Sequence, residues 1–400
     1  MKILSITAQK VDSTGSGVFL TELTKGFRKL GCSQAVVCGI TDEDSIHLSE
    51  DIALFPVVYK TPALPFPICG MSDEMPYEST RYCDLNEEMT EQLLAAFQVK
   101  VTEAVETFQP DVILCHHLYF LAALVRELYP NIPVYGQCHG SDLRQIRKNP
   151  WMRSWIKENI EKLDGIFALH QQQKETILET FAIAPKKVAV MGTGYNSDVF
   201  FLNEEAKTQR TDKTFRLIFA GKLSEKKGLY SLLQALRLLP HPEQYELALA
   251  GGYGNQAEYA KICRLAETAP CPVRFLGRLS HQELALEMNK SDAFILPSFY
   301  EGLPLVLIEA MACGLKTICT DLPGIRPWLN QAIPVNGTVF VTPPRMHNED
   351  DPWPEDLPAF EKALVDAIQA LPNRPLPHPE QIRQVSWDGL CKTYCDHWNH

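Results

Sequence analysis

Two carboxylates, Glu301 and Glu309, stand eight residues apart in the run Ser298-Phe299-Tyr300-Glu301-Gly302-Leu303-Pro304-Leu305-Val306-Leu307-Ile308-Glu309. The pattern places the first in a turn and the second inside the helix that follows. Gly302 lets the backbone approach a ligand closely. Pro304 suits the first helical position, where its missing N–H costs nothing. The amides of Leu303, Leu305 and Val306 are then left to face an anion at the positive end of the helix. Glu309 rides roughly two turns further along, at about 1.5 Å of rise per residue. A ligand with an anionic centre and hydroxyl groups at both ends suits this device, and a nucleotide sugar has that pattern.

Three more blocks set reactive residue types just after predicted strands: Gly15-Ser16-Gly17, His139-Gly140-Ser141-Asp142-Leu143, and Gly221-Lys222-Leu223-Ser224-Glu225-Lys226-Lys227-Gly228. Each has a plainer reading, as a turn, a structural histidine or a solvated lysine loop. Gly15-Ser16-Gly17 lacks the full G-x-G-x-x-G and lies about seven residues beyond its strand, too far for a dinucleotide-binding turn. Asp42-Glu43-Asp44 is literally Asp-x-Asp but sits in a polar loop away from the other blocks. His116 and His117 are neighbours and cannot share one strand face. No metal site is expected from either. The most basic stretch carries Arg144, Arg147, Lys148 and Arg153 among Trp151 and Trp155. It reads as a solvated helix face or as a contact for an anionic acceptor or lipid surface.

The elements that must position these blocks alternate between strand and helix. Strands are predicted at Ile3–Ala8, from Ala35, and at Asp111–Cys115, Pro133–Gln137, Gly165–Leu169 and Lys187–Val190. Helices are predicted after Gly17 and at Glu87–Phe108, Phe120–Leu128 and Gln172–Phe181. The proline-bearing stretch from Thr41 to Glu87 reads as a long irregular excursion, a lid or acceptor-side loop. After the polar segment Asn203–Thr214 the pattern restarts with strands at Phe215–Ala220, Glu246–Gly251, Val273–Leu276, Ala293–Leu296 and Lys316–Thr320. Helices there are predicted at Leu229–Leu238, Ala257–Ala266, His281–Asn289, from Pro304, and at Ala359–Leu371. Such alternation implies mostly parallel sheets wrapped by helices. The predicted division is residues 1–203, residues 204–375, and a segment 376–400 whose amphipathic stretch Ile382–Trp398 returns to the first domain.

Composition narrows the function. The 400 residues carry a net charge of −11, which argues against a nucleic-acid binder working through a bulk basic field. Twelve cysteines without framework spacing read as those of a reduced, cytosolic protein. Met1–Thr7 shows no cleavable signal pattern, and no apolar run approaches the ~18–20 residues a spanning helix needs.

Taken in order, the four blocks resemble retaining nucleotide-sugar glycosyltransferases of family 4, with the GT-B fold. The resemblance covers most of the chain and is strongest in its second half. It implies two Rossmann-like domains facing across a cleft, the first on the acceptor side and the second binding the donor. It implies transfer of a sugar from a nucleoside diphosphate donor, UDP-linked, to an acceptor hydroxyl, without a metal ion or other cofactor. By the same resemblance Lys222 and Lys227 neutralise the diphosphate, Glu301 and His139 lie at the donor sugar, and Glu309 takes the ribose hydroxyls. Gly302, Leu303, Pro304 and Leu305 hold phosphate or sugar oxygens. Gly15, Gly17 and Gly221 line the diphosphate, and the Gly277-Arg278-Leu279 backbone meets the nucleobase. Two departures stand out. Position 222, usually Arg in the family, is Lys and lacks a bidentate fork. Pro323-Gly324-Ile325-Arg326-Pro327-Trp328 also stands where relatives carry an acidic residue. An epimerase of the same fold, or a non-catalytic sugar-nucleotide-binding subunit, fits the same blocks. Peripheral membrane contact, the acceptor and the oligomeric state stay open.

Overall fold

The structure is a computed structural model describing residues 1–11, 13–46, 48–72, 75–205, 213–347 and 351–398. It contains two compact units. One comprises Met1–Thr193 together with Trp387–His400, and the other Gly194–Ser386. The chain thus passes between units earlier than the polar segment 203–214, of which residues 206–212 lie outside the described residues.

The first unit contains β1 (Lys2–Ile6), β2 (Ser33–Ile40), β3 (Ala53–Val58), the short pair β4 (Cys69–Gly70) and β5 (Thr80–Arg81), β6 (Val112–His116), β7 (Val134–Gln137), β8 (Gly165–Ala168) and β9 (Val188–Val190). Its helices are α1 (Gly15–Lys29), α2 (Glu87–Phe108), α3 (Phe120–Leu128), α4 (Ser141–Lys148), α5 (Arg153–Ile160) and α6 (Gln171–Thr180). Among the described residues the seven-stranded sheet runs β3-β2-β1-β6-β7-β8-β9, with every pairing parallel. Side-chain alternation puts Ala35 and Val37 of β2 into the core shared with Leu93, Phe97 and Val101 of α2. Val36 and Cys38 point the other way, onto Leu20 of α1.

The stretch after Thr41 is more ordered than its prolines suggest. β3 occupies the sheet edge, where Pro56 costs little because one side of an edge strand has no ladder to feed. Tyr59, Leu64, Phe66, Ile68, Met71 and Tyr82 then enter the main core, so much of this stretch is packed structure. Gly15-Ser16-Gly17 is likewise not a loop but the first turn of α1. Thr14 is its N-cap and accepts from the Gly17 amide at 3.1 Å.

The second unit contains β10 (Phe215–Ala220), β11 (Tyr245–Ala250), β12 (Val273–Gly277), β13 (Ala293–Leu296), β14 (Lys316–Thr320) and β15 (Val339–Val341) in the parallel order β12-β11-β10-β13-β14-β15. Its helices are α7 (Leu229–Arg237), α8 (Gln256–Glu267), α9 (His281–Asn289), α10 (Leu305–Ala312), α11 (Ile325–Ala332), α12 (Leu357–Ala370) and α13 (Pro379–Gln384). The predicted final amphipathic stretch is broken. Ile382 packs in the second unit, while α14 (Trp387–Trp398) belongs to the first.

α14 lies on α1, and a side chain at Gly26 of α1 would collide with the Cys391 sulfur. Trp387, Leu390, Cys391 and Tyr394 are buried there. The Tyr394 hydroxyl donates to Oε1 of Gln137, a fully buried residue ending β7. Removing that donor in Tyr394→Phe leaves a buried carbonyl unpaired and should cost about 1–3 kcal/mol of stability in urea unfolding. An unchanged midpoint would show that α14 contributes only apolar contact.

Candidate functional site

In a doubly wound parallel sheet, ligands sit beyond the carboxyl ends of the strands where the chain reverses its winding direction. In the second unit that reversal lies between β10 and β13. Their following loops carry the lysine block and the carboxylate block, and the backbone ties them together. The Phe299 amide donates to the Lys226 carbonyl at 3.0 Å. Gly228, at φ +71°, has no room for a side chain against the Pro297 carbonyl. This contact brings Lys227 Nζ to 2.6 Å from Glu301 Oε1, with both side chains mostly buried.

Pro304 is not the first helical residue. It occupies the N-cap position of α10, with ψ 102° still extended, and helical geometry begins at Leu305. A proline has no side-chain oxygen with which to cap. α10 therefore starts without the side-chain bond that Thr14, Asn86, Asn255 and Ser280 give their helices. Its leading amides keep their donor capacity at the positive end of the helix. Glu309 is half-buried further along α10 and already has an interaction partner.

Three glycines close the neighbouring strand ends. The Gly221 amide donates to Ala250 O at 3.0 Å, and the Gly251 amide to Gly277 O at 2.7 Å. A side chain at Gly251 would strike the Gly221 carbonyl. Over this turn lie two cations. The Lys222 ammonium lies where a side chain at Gly254 would be, and the Arg278 guanidinium where one at Gly252 would be. Lys222 therefore sits on the turn with Arg278. Gly302 is exposed, and Leu303 is packed against the core of this unit.

In the first unit the reversal lies between β1 and β6. Gly15 and Gly17 follow β1, but the Gly17 amide is held by Thr14. The loop after β7 carries His139 and Asp142. Asp142 is fully buried and accepts from the amides of Leu118 at 2.8 Å and Leu143 at 3.1 Å, and from the Cys138 thiol. It pins the loop after β7 to the loop after β6.

The alternation argument about His116 and His117 fails, for a local reason. His116 ends β6, and His117 lies beyond it at φ +73°. That left-handed turn swings both rings to one side. His116 Nδ1 lies 3.1 Å from His139 Nε2, with the rings stacked at 17°. The His117 ring centroid is 4.7 Å from that of His139. Phe19 of α1 sets its edge against His139 at 5.2 Å and is itself held by Trp387 of α14 at 5.0 Å. Two adjacent histidines at a strand end beside the reversal were the sequence signal for this cluster. Burial holds His116 down to about 3, with His117 adding repulsion. Burial also depresses His139, reinforced by His117 and His116, and it depresses His117 against the opposing pull of Asp142. All three rings are neutral near pH 7. Among the described residues no group of three His, Cys, Asp or Glu is arranged to hold a metal.

The remaining candidates have local partners. Asp44 pairs with Lys10 and accepts from the Thr41 amide and hydroxyl. In the basic stretch, Trp151 donates to Thr90, Trp155 to Glu127, and Arg153 to the Arg147 carbonyl. Pro323-Gly324 opens α11, and Arg326 on its first turn pairs with Asp321 at 2.7 Å and covers the Phe340 ring. No helix among the described residues is long and apolar enough to cross a membrane.

Two parallel α/β units, each with polar chemistry loaded at the strand reversal, define a protein of double Rossmann-like architecture. A family profile described as Glycosyltransferase Family 4 aligns with residues 13–199, and one described as Glycosyl transferases group 1 with residues 201–348. Between them these profiles span most of the chain, which belongs to the family 4 glycosyltransferases of the GT-B fold. Glycogen synthase of Mycobacterium tuberculosis is 23% identical over 260 residues, 62% of this chain and 60% of that protein. O-antigen chain mannosyltransferase B of Escherichia coli is 31% identical over 185 residues, 44% of this chain and 48% of that protein. The alignments thus span about half to three fifths of these curated relatives. Sucrose-phosphate synthase from Thermosynechococcus elongatus superposes with TM-score 0.69 at 18% identity, covering 100% of this chain and 98% of that one. Anabaena HepE in complex with UDP superposes with TM-score 0.65 at 15% identity, covering 100% of both chains.

The histidine cluster makes stability depend on pH with a definite sign. Each depressed imidazole binds its proton more readily unfolded than folded. Its contribution is therefore present above about pH 6.5 and is lost as pH falls toward the folded values. Urea unfolding at pH 7.5, 6 and 5 should show stability falling by up to about 1.4 kcal/mol per pH unit for each such histidine. A flat profile over that window would mean that the rings protonate freely in the folded chain.

Proposed function

We propose that this chain transfers a sugar from a nucleoside diphosphate donor to an acceptor hydroxyl, with retention at the anomeric carbon and without a metal ion. The observation that carries this reading is the Lys227–Glu301 pair at the β10/β13 reversal, beside a helix tip left without a side-chain cap. Lys227 supplies the positive charge a departing diphosphate needs, and the α10 amides add oriented donors. Glu301 accepts from donor-sugar hydroxyls. Glu309 suits a vicinal diol such as ribose, since carboxylate oxygens are acceptors. Lys222, Arg278 and the Gly221, Gly251 and Gly252 backbone offer a second cationic, closely approachable surface for the nucleotide. Gly302, Leu303, Pro304 and Leu305 give it backbone. The fold shared with structures of Anabaena HepE holding UDP and UDP-glucose supports a UDP-linked donor.

The reaction then proceeds on one face of the sugar. The bond from the anomeric carbon to the phosphate oxygen breaks, the acceptor oxygen bonds to that carbon, and its proton passes to the leaving phosphate. Catalysis is mostly positioning and charge stabilisation. His139 contributes as a neutral hydrogen-bonding group at the sugar.

The direct test is incubation with UDP-sugars and a panel of hydroxyl acceptors in the presence of a chelator, following sugar transfer and slow donor hydrolysis. Turnover that persists with the chelator supports the reading. Conversion of the nucleotide sugar without acceptor would make the protein an epimerase, and binding without any turnover would make it a non-catalytic subunit. Lys227→Ala should lower kcat by about 100-fold or more with the fold intact. Glu309→Ala should weaken donor binding about tenfold by calorimetry, the loss of a charge-assisted hydrogen bond. Near-normal turnover in the first or unchanged affinity in the second would remove those roles.

A further inference from the structure

His116 is buried behind His139, at the end of β6, and has no place in the transfer chemistry as described. Its Nδ1 is nonetheless 3.1 Å from His139 Nε2, and its own Nε2 has no hydrogen-bond partner among the described residues. A bond between two neutral imidazoles has two forms. Either His116 Nδ1–H donates to His139 Nε2, or His139 Nε2–H donates to His116 Nδ1. The second form puts the remaining His116 proton on Nε2, buried with no acceptor. The first leaves only a lone pair there. An orphaned buried N–H is the rarer condition, because an acceptor tolerates under-satisfaction better than a donor does.

We propose that His116 is a positioning residue that fixes His139 in its Nδ1–H form, so that His139 meets the sugar as a hydrogen-bond donor and not as a base. The inference rests on the transferase reading above for what His139 does, but the state of the ring is a property of the resting protein. The surroundings support a fixed ring. Phe19 sets its edge against both imidazoles, at 5.2 Å from His139 and 6.3 Å from His116. His117 closes the third side. The bond that one ring nitrogen makes decides which nitrogen carries the proton, and here the deciding bond comes from a histidine where many enzymes use a carboxylate. A carboxylate partner would stabilise an imidazolium. A neutral imidazole donor does the opposite, keeping His139 uncharged with its remaining N–H on Nδ1.

The test is nitrogen-15 NMR of the full chain with labelled histidine, His139 being assigned by loss of its signals in His139→Gln. The resting wild-type protein at pH 7.5 should show His139 protonated at Nδ1. Protonation at Nε2 would overturn the proposal, whatever the activity. In His116→Phe, which keeps an aromatic ring in place but removes the donor, the Nδ1–H pattern should give way to a mixture. With it kcat should fall about tenfold, the worth of one hydrogen bond, with the donor KM little changed. His116→Asn, whose side-chain amide nitrogen falls near the Nδ1 position, should recover most of that loss and restore the Nδ1–H signature. A purely packing role would spare His116→Phe and penalise His116→Asn, which overturns the proposal. Absence of transfer with every donor, alongside an Nδ1–H pattern in the resting protein, would sink the transferase reading and leave this one standing.

Discussion

In a parallel sheet every crossover returns the chain to the same end, so all the strands deliver their carboxyl ends, and the loops that follow, to one side. Where successive crossovers change direction, two adjacent strands send their loops apart and a crevice opens. Both units have this reversal, at β1/β6 and at β10/β13. The residues with chemical capacity follow from it. Lys227 and Glu301 are 74 positions apart in sequence. They meet because β10 and β13 are hydrogen-bonded neighbours whose loops start side by side. The histidines assemble the same way, from the ends of β6 and β7.

Close backbone approach constrains the reversal in the second unit. At Gly228 and Gly251 a carbonyl from the next loop occupies the space a side chain would need. Glycine is required there by contact as much as by dihedral angle. The charged groups are thereby mounted on backbone that cannot easily relax, which suits a site whose work is positioning. The histidine cluster uses a different device. Burial suppresses charge on all three rings, and repulsion from neighbouring histidines adds to it at His116 and His139. The first unit therefore offers neutral hydrogen-bonding groups at its reversal, whereas the second offers cations and a carboxylate.

Much of the fold could be read from the sequence because its buried strands are short apolar runs bounded by turn residues. Ala293–Leu296 and Lys316–Thr320 announce themselves this way, and helices such as Glu87–Phe108 show a sustained period. β3 escaped because Pro56 argues against a strand unless the strand is known to lie on an edge, and edge position is a tertiary fact. The start of α1 was obscured by Gly15 and Gly17, which look like loop residues until Thr14 is seen as a cap. In the candidate site, residue types located the lysine and carboxylate blocks at strand ends. No sequence rule showed that Lys227 and Glu301 touch. The histidine cluster was hidden by one left-handed residue, His117, which breaks the alternation on which the strand argument rested. The supports behind it, Phe19, Trp387 and Gln137 with Tyr394, are contacts across more than 100 positions and have no local signature.

The division of the chain gives α14 a part in the order of synthesis. Translation completes every strand of the first unit by residue 190, yet the helix that covers α1 and reaches Gln137 begins only at Trp387. The whole second unit is therefore made while the first waits with α1 uncovered and Phe19 lacking the indole that steadies it. A ribosome halted just short of residue 387 would release a second unit with every described strand made and a first unit whose histidines stand on an unfinished support.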